Sequence, residues 1–205
     1  MELQIAFRPA APLDVAMAVP LLYSAGPQAL EYAVATTTVS VETFLAAAFV
    51  SGRGFFGYRN HSVSLVEGSV VGVVAVYPLT RYIALSLQHA WQVWRHFGLP
   101  EFMPRMRRGV QLQSLMPPPG LAMVYLANFG VAPQWRGHGV GRAMLERQVD
   151  AAKRRGYRVL ALDVSVENPR ARELYERCGL RVVSRNRFAG PEFVVPDTLR
   201  MELAL

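Results

Sequence analysis

Lysine and cysteine are nearly missing from this sequence. Of its 205 residues, one is a lysine, Lys153, and one is a cysteine, Cys178. A lone cysteine excludes an intramolecular disulfide and any cysteine-cluster metal site. The four histidines, His61, His89, His96 and His138, are scattered without zinc-ligand spacing, so no metal is expected. Charged residues are 18% of the chain against 52% hydrophobic ones. That balance excludes global disorder and calls for a packed core. The opening Met1-Glu2-Leu3-Gln4 lacks the basic and apolar regions of a signal peptide. An uncharged run from Gly109 to Trp135 is interrupted by Pro117-Pro118-Pro119, which excludes a spanning helix there. The expectation is a soluble, cytoplasmic protein with no membrane partner.

What charge there is leans basic, at net +7 with a pI of about 10.1. Residues 1–120 carry 8 Lys+Arg against 6 Asp+Glu, and residues 121–205 carry 14 against 9. A basic C-terminal part suits a polyanion, either nucleic acid or a phosphate-rich cofactor. No interleaved basic and aromatic motif accompanies the charge, so no specific nucleic-acid partner is expected. The preference for arginine over lysine reads as base composition, not function.

The chain then punctuates itself. Leu3–Phe7 reads as a short strand and Ala11–Tyr23 as a helix that Pro20 breaks or restarts. Gly26-Pro27 opens a second helix, and Ser40 caps a third over Val41–Val50 that Gly52 stops. The β-branched runs His61–Val66 and Val70–Tyr77, joined by Glu67-Gly68-Ser69, signal a hairpin. In the irregular segment 78–121, Ile83, Leu87, Ala90, Trp91 and Trp94 recur at helical spacing, with Gln88, Gln92 and Arg95 on another face. That stripe is expected to pack on the body of the domain, with a lid over an acceptor site or a dimer surface as alternatives. Gly98 and Pro100 should stop the helix. Leu121–Val131 is a strand, and Gly139–Arg155 a helix with Gly141, Leu145, Val149 and Ala152 inward. Val159–Val164 is the next strand. Asn168 caps a helix with Pro169 at its first position and the stripe Ala171, Leu174, Tyr175, Cys178, closed by Gly179. Leu180–Ser184 and Thr198–Leu205 complete the strands. The order implies a mixed α/β domain: a mostly antiparallel twisted sheet with flanking helices and a helical insertion between the third and fourth strands. One domain over 1–205 is expected, with 78–121 an insertion that shapes a substrate site.

The chemistry gathers at Val131-Ala132-Pro133-Gln134-Trp135-Arg136-Gly137-His138-Gly139-Val140-Gly141-Arg142, where a strand runs into a helix. Helix N-termini present unpaired N–H groups and partial positive charge, and glycines remove the Cβ atoms that keep phosphates away. An anion site follows, and a pyrophosphate suits it, with Arg136 and Arg142 adding charge. A Walker loop needs Gly-Lys-Ser/Thr, but Arg142-Ala143 follow Gly141. A dinucleotide fingerprint needs its first glycine close behind the strand, but Ala132-Pro133-Gln134-Trp135 intervene.

The segment resembles the GNAT superfamily of N-acetyltransferases. Arg136, Gly139 and Gly141 match its Gln/Arg-x-x-Gly-x-Gly/Ala signature behind Val131-Ala132-Pro133, and Asn168, Ala171, Leu174-Tyr175 and Gly179-Leu180 match its second block. The likeness is specific over about 122–185, looser over 1–77, and absent over 78–121, where typical members have a short turn. It implies acetyl-CoA as cosubstrate and direct transfer to a primary amine, on a small molecule or a peptide, in a ternary complex. By the same resemblance, pantetheine lies between splayed strands and the Val131 N–H polarises the thioester carbonyl. Amides of Gly137, His138, Gly139, Val140, Gly141 and Arg142 hold the pyrophosphate. Asn168, with Ala171 beside it, meets the pantetheine arm, and Tyr175 gives a proton to the leaving thiolate. A phenol near pKa ~10 and a thiol near ~8.5 make that last step mildly uphill unless the site lowers the tyrosine.

Singly, Tyr175 reads as core, Asn168 as a cap and the glycines as a tight turn. In this order and spacing they read as a cofactor site. Cys178 reads as packing. The strand Met123–Gly130 lacks the glutamate that many family members use as base. Tyr125, Asn128 as a water holder, Glu31, Glu101 and His61 are candidates, and the expectation is that no single residue is the base. The competing reading is a non-catalytic acyl-CoA-binding sensor or interaction module. A homodimer is an open alternative for its assembly.

Overall fold

The computed structural model describes residues 3–34, 39–190 and 195–205. Met1 and Glu2, part of the N-terminal reading above, lie outside the described residues. Strands β1 (Ala6–Pro9), β2 (His61–Val66), β3 (Ser69–Pro78), β4 (Met123–Val131), β5 (Val159–Ser165), β6 (Arg181–Asn186) and β7 (Thr198–Ala204) form one sheet in the order β1-β2-β3-β4-β5-β7-β6. Every pairing is antiparallel except β4 with β5. Helices α1 (Val15–Ser24), α2 (Pro27–Val34) and α3 (Val41–Ser51) precede β2, and α4 (Leu79–Gln113) joins β3 to β4. Helices α5 (Val140–Arg154) and α6 (Pro169–Arg177) flank β5 in the chain.

Strand alternation divides the core. Val124 and Leu126 of β4, Leu160, Leu162 and Val164 of β5, and Met201 of β7 face one side. There they meet Val140, Met144, Leu145 and Ala152 of α5 and Tyr175 of α6. Val63 and Val73 face the other side, against Ala18, Leu21 and Leu22 of α1 and Phe44, Leu45 and Phe49 of α3. Burial of each such aliphatic or aromatic side chain contributes about 1.5–3 kcal/mol. Lys153 and Arg154 sit exposed in the last turn of α5, where cations complement the helix C-terminus.

The structure departs from the sequence reading in three places. β1 begins at Ala6 rather than Leu3. Pro20 neither breaks nor restarts α1: it sits exposed inside the helix. Its missing N–H costs one helical bond, which burial of Ala18, Val19, Leu21 and Leu22 around it offsets. The largest departure is α4. The first arm ends at Gly98 as expected, at a non-helical φ 75° and ψ 175°, but a second helical arm runs on past this kink to Gln113 through Pro100 and Pro104. Pro100 falls in the first turn of that arm, where its missing N–H has no helical partner to lose. In the first arm the apolar stripe points to solvent. The residues that pack on the body are Leu85, Gln92 and Val93.

Candidate active site

The site begins with one residue in a conformation that strands seldom contain. Asn128, in the middle of β4, has φ 52°. Asparagine is among the few non-glycine types that enter the left-handed region readily. Here the β3–β4 register slips, from Val73↔Gly130 to Ala75↔Ala127, so β4 carries an extra residue. Such a bulge bends its strand. The parallel pairing of β4 with β5 consists of Met123↔Val159, Val124↔Leu160 and Tyr125↔Ala161, and beyond it the two strands diverge into an open wedge.

Val131 borders that wedge. The N–H of Ala132 donates to Val71 of β3 at 2.8 Å. Successive N–H groups of a strand alternate in direction, so the N–H and C=O of Val131 face away from β3, into the wedge. In agreement, Nε of Arg136 donates to the Val131 carbonyl at 2.9 Å.

Helix α5 starts at the mouth of the wedge. Its first backbone closure is Ala143 N–H to Gly139 C=O, at 3.0 Å, so the N–H groups of Val140, Gly141 and Arg142 have no helical partner. Gly139, at the N-cap, has no side chain with which to cover them, and it has φ 84°. Gly137 has φ 90°. Both conformations are strained for any residue bearing a Cβ. Gly141 is needed for another reason. A Cβ there would stand 3.1 Å from Cδ2 of Leu174 and 3.7 Å from both Phe129 Cε1 and Val131 Cγ2. It lets α5 close onto α6 and β4. Residues 136–139 are exposed, His138 among them with its ring 6.0 Å from that of Trp135. Arg142 is also exposed and donates to Glu146 at 2.7 Å. The sequence reading missed Arg170. Its Nη2 lies 3.5 Å from the Cβ position of Gly137, which adds a cation from α6 to the glycine loop. Position two of a helix gives little hint of that reach.

Asn168 caps α6, its Oδ1 accepting from Ala171 N–H at 3.1 Å. Tyr175 is buried one turn further on, its ring 5.9 Å from that of Phe129 in an edge-on arrangement. Burial pushes its phenol well above the usual value, and the nearby Cys178 adds to the shift. Cys178 is half-buried, with its thiol also raised by burial.

The opposite face of the sheet carries the polar residues. Tyr77 Oη donates to Phe55 C=O at 2.8 Å, and Asn128 Nδ2 donates to the same carbonyl at 3.0 Å and to His61 Nε2 at 3.0 Å. His61 Nδ1 in turn meets Gly57 C=O at 2.9 Å, which fixes the Nδ1–H tautomer. Burial lowers the His61 pKa to about 4, and the ring is neutral. Asn128 thus holds protein groups on its amide nitrogen. Asp163 on β5 went unnoticed in the sequence. Its Oδ2 accepts from Tyr125 at 2.9 Å and Arg200 at 2.6 Å, and its Oδ1 from Asn186 at 3.0 Å. Burial raises its pKa to about 6 against the opposing pull of Arg200. Burial and Asp163 together raise Tyr125 far above a phenol's ordinary value. Glu101 pairs with Arg105 at 3.2 Å. Glu31 accepts from Tyr23 at 2.9 Å and, with Tyr23, Pro27, Gln28 and Tyr32, lines an open pocket of about 540 Å³. Gln28 lies 3.5 Å from Glu167, which brings α2 to the loop before Asn168.

A sequence model of the acetyltransferase (GNAT) family matches residues 42–180, more than half of the chain. The chain belongs to the GNAT acetyltransferase family. An uncharacterised N-acetyltransferase of Methanocaldococcus jannaschii is 45% identical over 49 residues, covering 24% of this chain and 22% of the relative. The mycothiol acetyltransferase of Beutenbergia cavernae is 44% identical over 55 residues, 27% of this chain and 18% of the relative. The N-acetyltransferase from Staphylococcus aureus Mu50 has a similar structure, with a TM-score of 0.69 over 97% of this chain and all of that one, at 18% identity. That likeness is one of fold. These two curated matches span about a quarter of this chain and about a fifth of those relatives. Acetyl transfer from acetyl-CoA is the GNAT reaction, and α4 is the helical insertion expected between the third and fourth strands.

Proposed function

We propose that this GNAT protein moves an acetyl group from acetyl-CoA to a primary amine by direct attack in a ternary complex. The observation that carries the reading is the wedge between β4 and β5, with the amide of Val131 on one wall and Tyr175 buried beside Phe129. Acetyl-CoA supplies the activated acyl group as a thioester. The exposed N–H groups at the start of α5, with Gly137, Arg136 and Arg170 around them, suit the pyrophosphate. Arg136 leaves the Val131 carbonyl as the pantetheine arm takes its place along the strand. The Val131 N–H donates to the carbonyl oxygen under attack, where negative charge develops. As the C–N bond forms and the C–S bond breaks, the Tyr175 hydroxyl donates to the departing sulfur. Its raised pKa keeps it protonated at every working pH, so its part is a strong hydrogen bond at the thiolate more than complete proton transfer.

The acceptor enters over the opposite face, past Tyr23, Glu31 and Tyr32. Glu31 is the carboxylate of that pocket, and it suits a cationic amine. Tyr125 and His61 have their polar atoms engaged, so the amine's proton leaves through water.

Turnover and acetyl-CoA affinity of Tyr175→Phe, measured with a free-thiol readout over an amine panel, test the reading. The expected result is turnover lowered about 10²-fold or more with affinity unchanged. Unchanged turnover would remove Tyr175 from the chemistry. Tight acetyl-CoA binding by the wild type with no transfer to any amine would leave the acyl-CoA sensor as the better account.

A further inference from the structure

The first arm of α4, up to the kink at Gly98, is apolar on the side away from the body as well as on the side that meets it. Toward the body it presents Leu85, Val93 and the polar Gln92, whose Nε2 donates to Ser51 Oγ and Arg53 C=O, both at 2.9 Å. On the opposite side Ile83, Leu87, Trp91 and Trp94 follow one another at helical spacing, 54%, 71%, 47% and 48% exposed. The second arm repeats the pattern with exposed Leu99, Met103 and Val110. Apolar residues scattered singly over a surface need no explanation, but a continuous line along one helix face marks a surface that meets something.

The charge around the line says what. Arg95 flanks it on the helix, and the Arg53 guanidinium lies 5.7 Å from the ring centroid of Trp91, while Arg81 is turned towards the body, where it donates to Asn60 Oδ1. Helix α4 itself holds five arginines and one carboxylate, Glu101, which pairs with Arg105 in the second arm. We infer that the outward face of α4 lies on an anionic membrane surface, with Leu87, Trp91 and Trp94 among the headgroups and the flanking arginines on lipid phosphates. A helix with tryptophan and leucine on one side and arginines beside them has the composition of an interfacial helix. A second copy of the chain fits less well. Two-fold pairing of this face would bring Arg53 and Arg95 of both copies to one seam, and α4's single carboxylate, Glu101, is already paired with Arg105. Among the described residues no helix is long and apolar enough to cross a membrane. A helix lying in the interface needs no such length, so the expectation of no membrane partner, drawn from spanning runs, does not reach this face.

Co-sedimentation with phosphatidylcholine vesicles, and with vesicles also containing phosphatidylglycerol, tests the inference. The wild type should bind the anionic vesicles in preference, with a blue shift of tryptophan emission. The double variant Leu87→Glu/Trp91→Glu should bind them at least about tenfold more weakly, with thermal midpoint and acetyl-CoA affinity retained. The inference is overturned if the wild type ignores anionic vesicles or if the variant binds as well as the wild type. It is equally overturned if sedimentation equilibrium finds a dimer that the double variant dissolves.

Discussion

Tyr125 donates its phenolic hydrogen to Asp163 at 2.9 Å, and the two residues straddle the point where β4 and β5 part. Tyr125 stands on the last paired rung, and Asp163 two residues past its partner Ala161. The same carboxylate takes Arg200 from β7 and Asn186 from β6, so one buried group ties together four strands at the foot of the wedge. Replacing Arg200 with Met leaves Asp163 buried without its cation. At pH 8, where Asp163 is ionised, the expected loss of stability is about 3–5 kcal/mol. At pH 5, below the folded-state pKa of about 6, the carboxyl takes up a proton and the loss should shrink. Urea denaturation at the two pH values checks this, and equal losses would mean that Asp163 does not sense Arg200.

The start of α5 yields a second prediction. Gly139→Ala forces a Cβ into the left-handed region, at a cost of about 1–2 kcal/mol. Arg170→Ala should leave stability nearly unchanged and weaken acetyl-CoA binding most at low ionic strength, the difference fading as salt is added. Titration calorimetry at two salt concentrations reads it. An Arg170→Ala affinity equal to wild type at low salt would place that guanidinium outside the phosphate site.

Two histidines, His61 buried and His89 half-buried, set the acid limit. His61 and His89 are held to about 4 by burial, against 6.5 unperturbed. The folded state therefore binds fewer of these protons than the unfolded chain between pH 6.5 and 4, and their stabilising contribution is lost as pH falls through that window. Asp163 acts in the opposite sense between 3.8 and about 6, but it is one group against two. The denaturation midpoint should drop from pH 7 to pH 4.5, and His61→Gln should flatten the slope. A midpoint that rises with acidification would reverse the assignment.

The sequence made the second half of the fold legible because its punctuation is local. The Gly139 start of α5, the Asn168-Pro169 start of α6 and the β-branched runs between them each follow from a few neighbouring residues. The bulge at Asn128 was not legible, since it depends on a register with β3 that no local pattern states. Asp163 looked like one polar residue in an apolar strand, because its partners come from residues 125, 186 and 200. The α4 stripe is a helical face, as its spacing says, but it meets solvent and not the body. Periodicity locates a face but does not say whether that face or its reverse meets the body.

The near-absence of lysine acquires a use once α5 is in place. Lys153 is exposed, thirteen residues beyond Val140, so its amine stands roughly 20 Å along the helix from the anion-binding end. A rigid helix cannot fold that amine back into the wedge of its own molecule. An acetyl mark on Lys153 would therefore record transfer from another copy or from acetyl-CoA in solution. Lys153 is the one lysine of this sequence, and so a single-lysine reporter of off-target acetylation, readable by mass spectrometry in the same sample as any amine screen.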